Sequence, residues 1–331
     1  MTKEKEFSRR KFFQLAGSAL GAAVLSHPGR LWAQQARRLS ISTGGTGGVF
    51  YILGGGIANL LTKSLPNFKV TAEATAASVD NAKLIDARKA DLAFIAGDIA
   101  YEACIGGGKF KSKIPLCNLL VPYSDVIHFV ALEGAGINSV RDLRGKRVSI
   151  GAPGSGTEVK GMRILEAYGI DPAKDIKRDR LSVAESAGAM KDRKIDAFNW
   201  AGGLPTAAVM DLAATPGVRI KILDLGDIVP KLKEKFGPVY FPSVIPKGTY
   251  TGVNSDVNTV AVAVVFCCHE KMEEDLAYQI TKLIIERKSD LALVHKEADH
   301  ISVQHAAVGS PIPYHPGAIR YFKEKGVSIK Q

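Results

Sequence analysis

Short apolar strands alternate with helical segments along almost the whole chain, and this alternation restricts the fold more than any other feature. Leu39 to Ser42 leads through glycines 44–48 into a helix expected over 49–64, with Pro66 beyond its end. Phe68 to Glu73 leads to Ala76-Ala77-Ser78 and a helix near 79–89, and Asp91 to Ala96 is an apolar strand ending at Gly97-Asp98. Further on, Arg147 to Gly151 runs into a helix near 157–168 that Gly169 stops at the expected C-terminal position. Strands beginning at Ile195, Val218 and Thr259 follow. Such alternation predicts an α/β protein with parallel sheets covered on both faces. At 331 residues the chain exceeds what one core usually serves, so two doubly wound lobes are expected.

The chain can cross between lobes at two places. Pro122 to Asp125 precedes a new strand, Val126 to Leu132, and Cys268 to Glu270 precedes a long amphipathic helix over 272–287. This divides the chain into residues 38–124 plus 270–331 as one lobe and 125–269 as the other. Ligands of open α/β sheets sit beyond the carboxyl ends of the strands, so the glycine-rich loops at those ends are expected to face each other across a cleft.

Those loops do not suit nucleotides. In the first, Phe50 stands where a dinucleotide fingerprint needs its third glycine, and the first lysine after the loop is Lys63. In the second, Gly151 to Glu158, Thr157-Glu158 replace the Lys-Ser/Thr of a phosphate loop, and Pro153 and Thr157 break a nucleophile elbow around Ser155. What remains is backbone N–H groups and hydroxyls at helix N-termini, with no Arg or Lys beside either loop. Such a site suits one small carboxylate. Simple capping by Ser155 or Thr157 is the competing reading.

The N-terminus carries Ser8-Arg9-Arg10-Lys11 ahead of a short apolar run from Leu15 to Leu25, the order of an export signal of twin-arginine type over residues 1–33. That places the mature chain in the periplasm. The net charge of +11 remains positive without this segment, but bases and acids interleave, as over residues 174–180, so no nucleic-acid surface is expected. Cys104, Cys117, Cys267 and Cys268 form no metal pattern and are read as buried thiols, with a Cys104–Cys117 disulfide as the alternative. No metal or cofactor is expected.

The stretches GTGGVFYILGGGIANLL, VTAEATAASVDNAKLI, ADLAFIAGDIAYEA, VRDLRGKRVSIGAPGSGTE, IDAFNWAGGLP and PIPYHPGAIRYFKEKG occur in that order between Leu39 and Gly326. Together they resemble the TAXI family of extracytoplasmic solute receptors, the binding proteins of TRAP-type transporters. The resemblance implies a type II periplasmic binding protein fold, with two α/β lobes, two crossovers and a ligand cleft between them. It also implies a monomer that captures a carboxylate-bearing solute, such as glutamate or a related acid, for an integral-membrane TRAP permease. Carried over by position, Thr46, Gly47, Gly48 and Tyr51 match the first pocket loop, and Ser78 and Asn81 the second. Ser155, Gly156 and Thr157 match the loop of the far lobe, and Trp200, Gly202 and Gly203 the wall after the strand from Ile195. The chain departs from the family pattern at Ala76-Ala77, where two glycines are frequent, at Gly97, and at Asn199, where an aromatic is usual. Two other roles fit the same features: an input subunit for a membrane sensor kinase, or a periplasmic enzyme. The histidines stand away from both glycine loops, which counts against the enzyme.

Overall fold

The computed structural model describes residues 36–329; the expected export signal lies outside them. In chain order the first elements are β1 (Arg37–Ser42), α1 (Val49–Ser64), β2 (Phe68–Glu73), α2 (Ser78–Asp86), β3 (Leu92–Ala96), α3 (Gly97–Ile105) and β4 (Leu116–Leu120). There follow β5 (Ser124–Leu132), β6 (Arg147–Ser149), α4 (Gly156–Ala167), β7 (Lys177–Asp179), α5 (Val183–Lys191), β8 (Ala197–Gly202) and α6 (Ala207–Ala213). The remainder is β9 (Ile220–Ile222), α7 (Val229–Phe236), β10 (Phe241–Ile245), β11 (Val257–His269), α8 (Glu274–Glu286), α9 (Lys288–Ala292), α10 (Val303–Ala306) and α11 (Pro316–Glu324).

The fold is α/β with two lobes. In the first, β2, β1 and β3 are parallel neighbours, and β11 closes against β3 and β4 antiparallel. In the second, β7, β6 and β8 are parallel, while β5 runs antiparallel to β8 and β9. Both sheets are therefore mixed, where alternation alone predicted parallel ones. β11 runs antiparallel to β3 and to β5, and β10 runs antiparallel to β11.

β11 belongs to both sheets. Ala261 to Ala263 pair with β5, and Val264 to Cys268 pair with β3, so the strand changes sheet between Ala263 and Val264, ahead of the Cys268–Glu270 crossing expected from sequence. The first crossing, residues 121–123, runs beside it, and the Val264 N–H donates to the Tyr123 carbonyl at 2.9 Å. The two passes are thus hydrogen-bonded to each other where the lobes join.

Burial follows the sheets. Leu53 and Ile57 of α1 pack on Ile41, Phe94 and Phe266, and α8 and α11 cover the same core through Ile280, Ile284 and Phe322. Phe198, Val130, Leu212 and Tyr250 fill the second lobe. A third cluster, including Ile95, Ile127, Val148 and Ile164, runs between them. Cys267 and Cys268 are buried and all four cysteines are free thiols, with Cys117 directly opposite Cys268 on the neighbouring strand. No helix among the described residues is long and apolar enough to cross a membrane.

Candidate ligand-binding cleft

The loops after β1, β2, β6 and β8 enclose a cavity of about 70 Å³ between the lobes. One water needs about 10–15 Å³ on this measure, so the space suits a solute of several heavy atoms. Gly44, Gly45, Gly48, Thr75, Ala77 and Ser78 line it from the first lobe. From the second come Gly151, Ser155, Gly156, Thr157, Ser182, Asn199, Trp200 and Gly202, with Asp125 at the crossing.

Two helices begin here. α2 starts at Ser78 and α4 at Gly156, and a Cβ on Gly156 would lie 3.0 Å from Ser78 Oγ. The two N-termini therefore converge from opposite lobes, with their unpaired N–H groups and positive dipole ends directed to one spot. The lobes also touch directly: the Asp80 N–H donates to the Gly154 carbonyl at 3.2 Å. This is a closed arrangement.

The glycines allow that closure. A Cβ on Gly48 would lie 3.0 Å from the Trp200 ring, and one on Gly47 would lie 3.0 Å from Ala208 Cβ and 3.2 Å from Ala184 Cβ. A Cβ on Gly202 would meet the Trp200 ring at 2.5 Å. The bare backbone thus admits the opposing lobe and the indole. Trp200 is held by its own network: Nε1 donates to Thr206 Oγ1 (2.8 Å), and the Thr206 N–H donates to Tyr250 Oη (3.1 Å). The Tyr250 hydroxyl donates in turn to His128 Nε2 (3.0 Å), whose Nδ1–H donates to the Val126 carbonyl (3.0 Å). Burial lowers the His128 pKa to about 4, so the ring is neutral and rigidly oriented.

Of the residues expected at the site, Gly48, Ser78, Ser155, Gly156, Thr157, Trp200 and Gly202 line the cavity. Ser155 is committed to capping: its hydroxyl donates to the Ala152 carbonyl (2.7 Å) and accepts from the Glu158 N–H (3.0 Å). Five others lie elsewhere. Thr46 and Tyr51 border a separate depression on the outer side of α1. Gly47 faces α5 and α6 across the lobe contact. Asn81 is buried within the first lobe, donating to the Thr43 and Phe94 carbonyls at 2.7 and 2.8 Å and accepting from Thr75 Oγ1 at 2.7 Å. Gly203 leaves room for Glu297, whose carboxylate accepts from the Leu204 N–H.

Three residues were not anticipated. Asp125 and Asn199 line the cavity, and Lys160 lies beneath it, fully buried. Lys160 Nζ stands 3.1 Å from Asp125 Oδ2 and 3.3 Å from Asp98 Oδ1. Burial opposes its charge, but the two carboxylates outweigh that and raise its pKa. The expectation of no cation beside either loop is therefore corrected. Lys160 follows Gly156 by one helical turn and so shares its face, a spacing visible in the sequence. Arg163, on the same helix, pairs with Asp98 (3.3 Å) and Glu102, and donates to Tyr240 Oη at 2.9 Å.

Among solved structures, PhnD1 from Prochlorococcus marinus (MIT 9301), in complex with methylphosphonate, aligns with a TM-score of 0.54 at 10% identity, over 81% of this chain and 92% of that one. A protein of Bordetella bronchiseptica RB50 aligns with a TM-score of 0.50 at 17% identity, over 88% of this chain and 89% of that one. The periplasmic aliphatic sulphonate binding protein SsuA from Escherichia coli aligns at 0.45 and 18% identity, over 87% and 83%. The first two support the same two-lobed fold, that of type II periplasmic binding proteins. Over residues 41–326 the sequence matches the NMT1-like family, and the chain belongs to that family.

Proposed function

We propose that this protein is an exported solute receptor of TAXI type, which closes its lobes over a small carboxylate and delivers it to a TRAP-type permease. The observation that carries the reading is the meeting of two helix N-termini, at Ser78 and Gly156, on one small cavity. Unpaired N–H groups at a helix start favour an anion, and charge-assisted hydrogen bonds contribute about 1.5–3 kcal/mol each. The same fold in PhnD1 holds methylphosphonate, itself a small anion. The Ser-Arg-Arg segment at the N-terminus fits export to the periplasm, and the order of the six quoted stretches supports the TAXI assignment. The role in this reading is capture, without chemistry on the solute.

A thermal-shift screen of small carboxylates on the mature protein tests the reading, followed by small-angle scattering with any carboxylate that raises the melting temperature. The expected result is a smaller radius of gyration with ligand, since closure is stabilised by contacts available only in the closed form. A screen without a carboxylate hit, or a hit without contraction, removes the reading.

A further inference from the structure

Away from the helix N-termini the cavity wall is largely hydrocarbon, supplied by Val49, Phe50, Ala152, Leu181, Val183 and Trp200. Most polar side chains on the wall are already engaged within the protein. Thr75 Oγ1 donates to Asn81 Oδ1 at 2.7 Å and accepts from the Ala77 N–H at 3.0 Å. Asn199 Nδ2 donates to the Thr157 carbonyl at 2.8 Å, Trp200 Nε1 is held by Thr206, and Ser155 caps α4. Ser78 and Ser182 accept from the Ala96 and Glu185 N–H groups, and each keeps its hydroxyl proton to donate. Ser78 stands at the meeting of the two helix starts, so its donor and the N–H groups there serve one acceptor group.

Charged partners for anything more are lacking. Among the described residues no lysine, arginine or histidine lines the cavity, and Asp125 is its one charged side chain. Asp125 Oδ2 holds Lys160 at 3.1 Å, while Asp125 Oδ1 and Lys160 Nζ have no exposed surface. A second ligand carboxylate therefore meets no cation, and a ligand ammonium meets no carboxylate oxygen. Either group would lose its water without a partner of opposite charge in its place. Space is limited as well. The cavity of about 70 Å³ holds about five to seven water-sized groups.

We infer that the solute is a short-chain monocarboxylate with an apolar remainder, and that the pocket discriminates against the amino acids and dicarboxylates suggested by the family resemblance. The inference rests on the carboxylate-receptor reading and narrows it. The single carboxylate lies at the helix N-termini beside Ser78 and Gly156, and the hydrocarbon chain packs on Phe50, Val183 and the Trp200 ring.

Matched ligands test this by calorimetry on the mature protein. Acetate, propionate, butyrate and isovalerate form a series of increasing hydrocarbon. Glutarate is butyrate with a second carboxylate, L-valine is isovalerate with an ammonium group, and 1-butanol lacks the carboxylate. Affinity is expected to rise about fourfold for each CH₂ from acetate to butyrate, the effect of burying that group. Butyrate and isovalerate are expected to bind at least about 10-fold more tightly than glutarate and L-valine, since an ionised group desolvated without a partner is disfavoured. Glutarate, L-valine or L-glutamate binding as tightly as the monocarboxylates overturns the inference and leaves the carboxylate reading standing. Equal affinities from acetate to isovalerate overturn it in the same way. 1-Butanol binding as tightly as butyrate overturns the carboxylate reading and the inference with it. No binding by any of these compounds overturns the inference, and the carboxylate reading is then decided by the wider screen. Every comparison is made on the parent protein, so no outcome depends on the folding of a variant.

Discussion

Lys160 Nζ and Asp98 Oδ1 stand 3.3 Å apart across the cleft, one carried by α4 of the second lobe and the other by α3 of the first. Both side chains are excluded from solvent, and Asp125 completes the bridge at the crossing. An ion pair formed between lobes can exist only when they are together, so it ties closure to the burial of charge.

Replacing Lys160 by Met would leave the buried Asp125 without its cation and Asp98 with Arg163 alone. Removing one partner of a buried pair costs about 3–5 kcal/mol. Lys160→Met is expected to lose stability on that scale in urea unfolding at neutral pH. Unchanged stability would mean that the lobes separate enough in solution to hydrate both aspartates.

Ala77 precedes α2 at φ +77° and ψ −149°, a region populated almost entirely by glycine. Ala77→Gly is expected to raise the stability by about 1 kcal/mol, the net of relieved strain and glycine's backbone entropy. The check is the shift in melting temperature. A fall would mean that the alanine methyl packs more usefully than its backbone costs.

Gly47 is a contact between lobes, and a valine there would press on Ala184 and Ala208. Overpacking of this kind costs about 1–3 kcal/mol. Gly47→Val is expected to weaken ligand affinity by roughly that amount. Equal affinity would show that closure tolerates a wider gap at this loop.

Thr157 lines the cavity in the first turn of α4. Thr157→Val preserves its shape and removes a hydroxyl donor, with an expected loss of about 1–3 kcal/mol in carboxylate binding by calorimetry. Parent-like affinity would assign the recognition to backbone N–H groups alone.

Glu297 links the C-terminal segment to the loop after β8, accepting from the Leu204 N–H, while His295 Nε2 donates to the Pro205 carbonyl at 3.0 Å. Burial pushes the Glu297 pKa up to about 7, with Asp125 adding to the rise and the Leu204 N–H opposing it. A carboxyl raised in the folded state holds its proton where the unfolded chain has lost it. Stability from this group is therefore greatest near pH 4.5, falls as pH rises toward 7, and levels off above. Glu297→Gln is expected to remove that slope. Its advantage over the parent should grow from near zero at pH 4.5 to about 1–3 kcal/mol at pH 8, read from melting temperatures. Parallel curves for parent and variant would contradict the shifted carboxyl.

Much of the fold is legible in the sequence because its signals are local. The apolar strand before Gly97 and the glycine after α4 mark element ends within a few residues, and α1 falls on Val49–Ser64 as expected. The sheet change inside β11 is not legible, because Val260 to Cys268 is uniformly apolar and all of it is buried. Of the residues proposed for the site, Gly48, Ser78, Gly156 and Thr157 line the cavity. Thr46 stands exposed in the turn ahead of α1, and helix phase turns Tyr51 outward, so both border the outer depression instead. Asn81 fails because its amide satisfies backbone carbonyls inside the lobe. Asp125 could not be found from motifs, since it reaches the cavity through a crossing whose partners lie far away in the chain.

The shared strand β11 also bears on how the chain attains its structure. Among the described residues, β4 joins its sheet only through β11, and β10 joins the other only through the same strand. During synthesis, neither half can complete its hydrogen-bonded layer until residue 269 has emerged. The two halves then have to consolidate as one cooperative event rather than in succession. A single calorimetric transition on heating, and proteolytic fragments ending before Val257 that do not fold, are what such wiring demands.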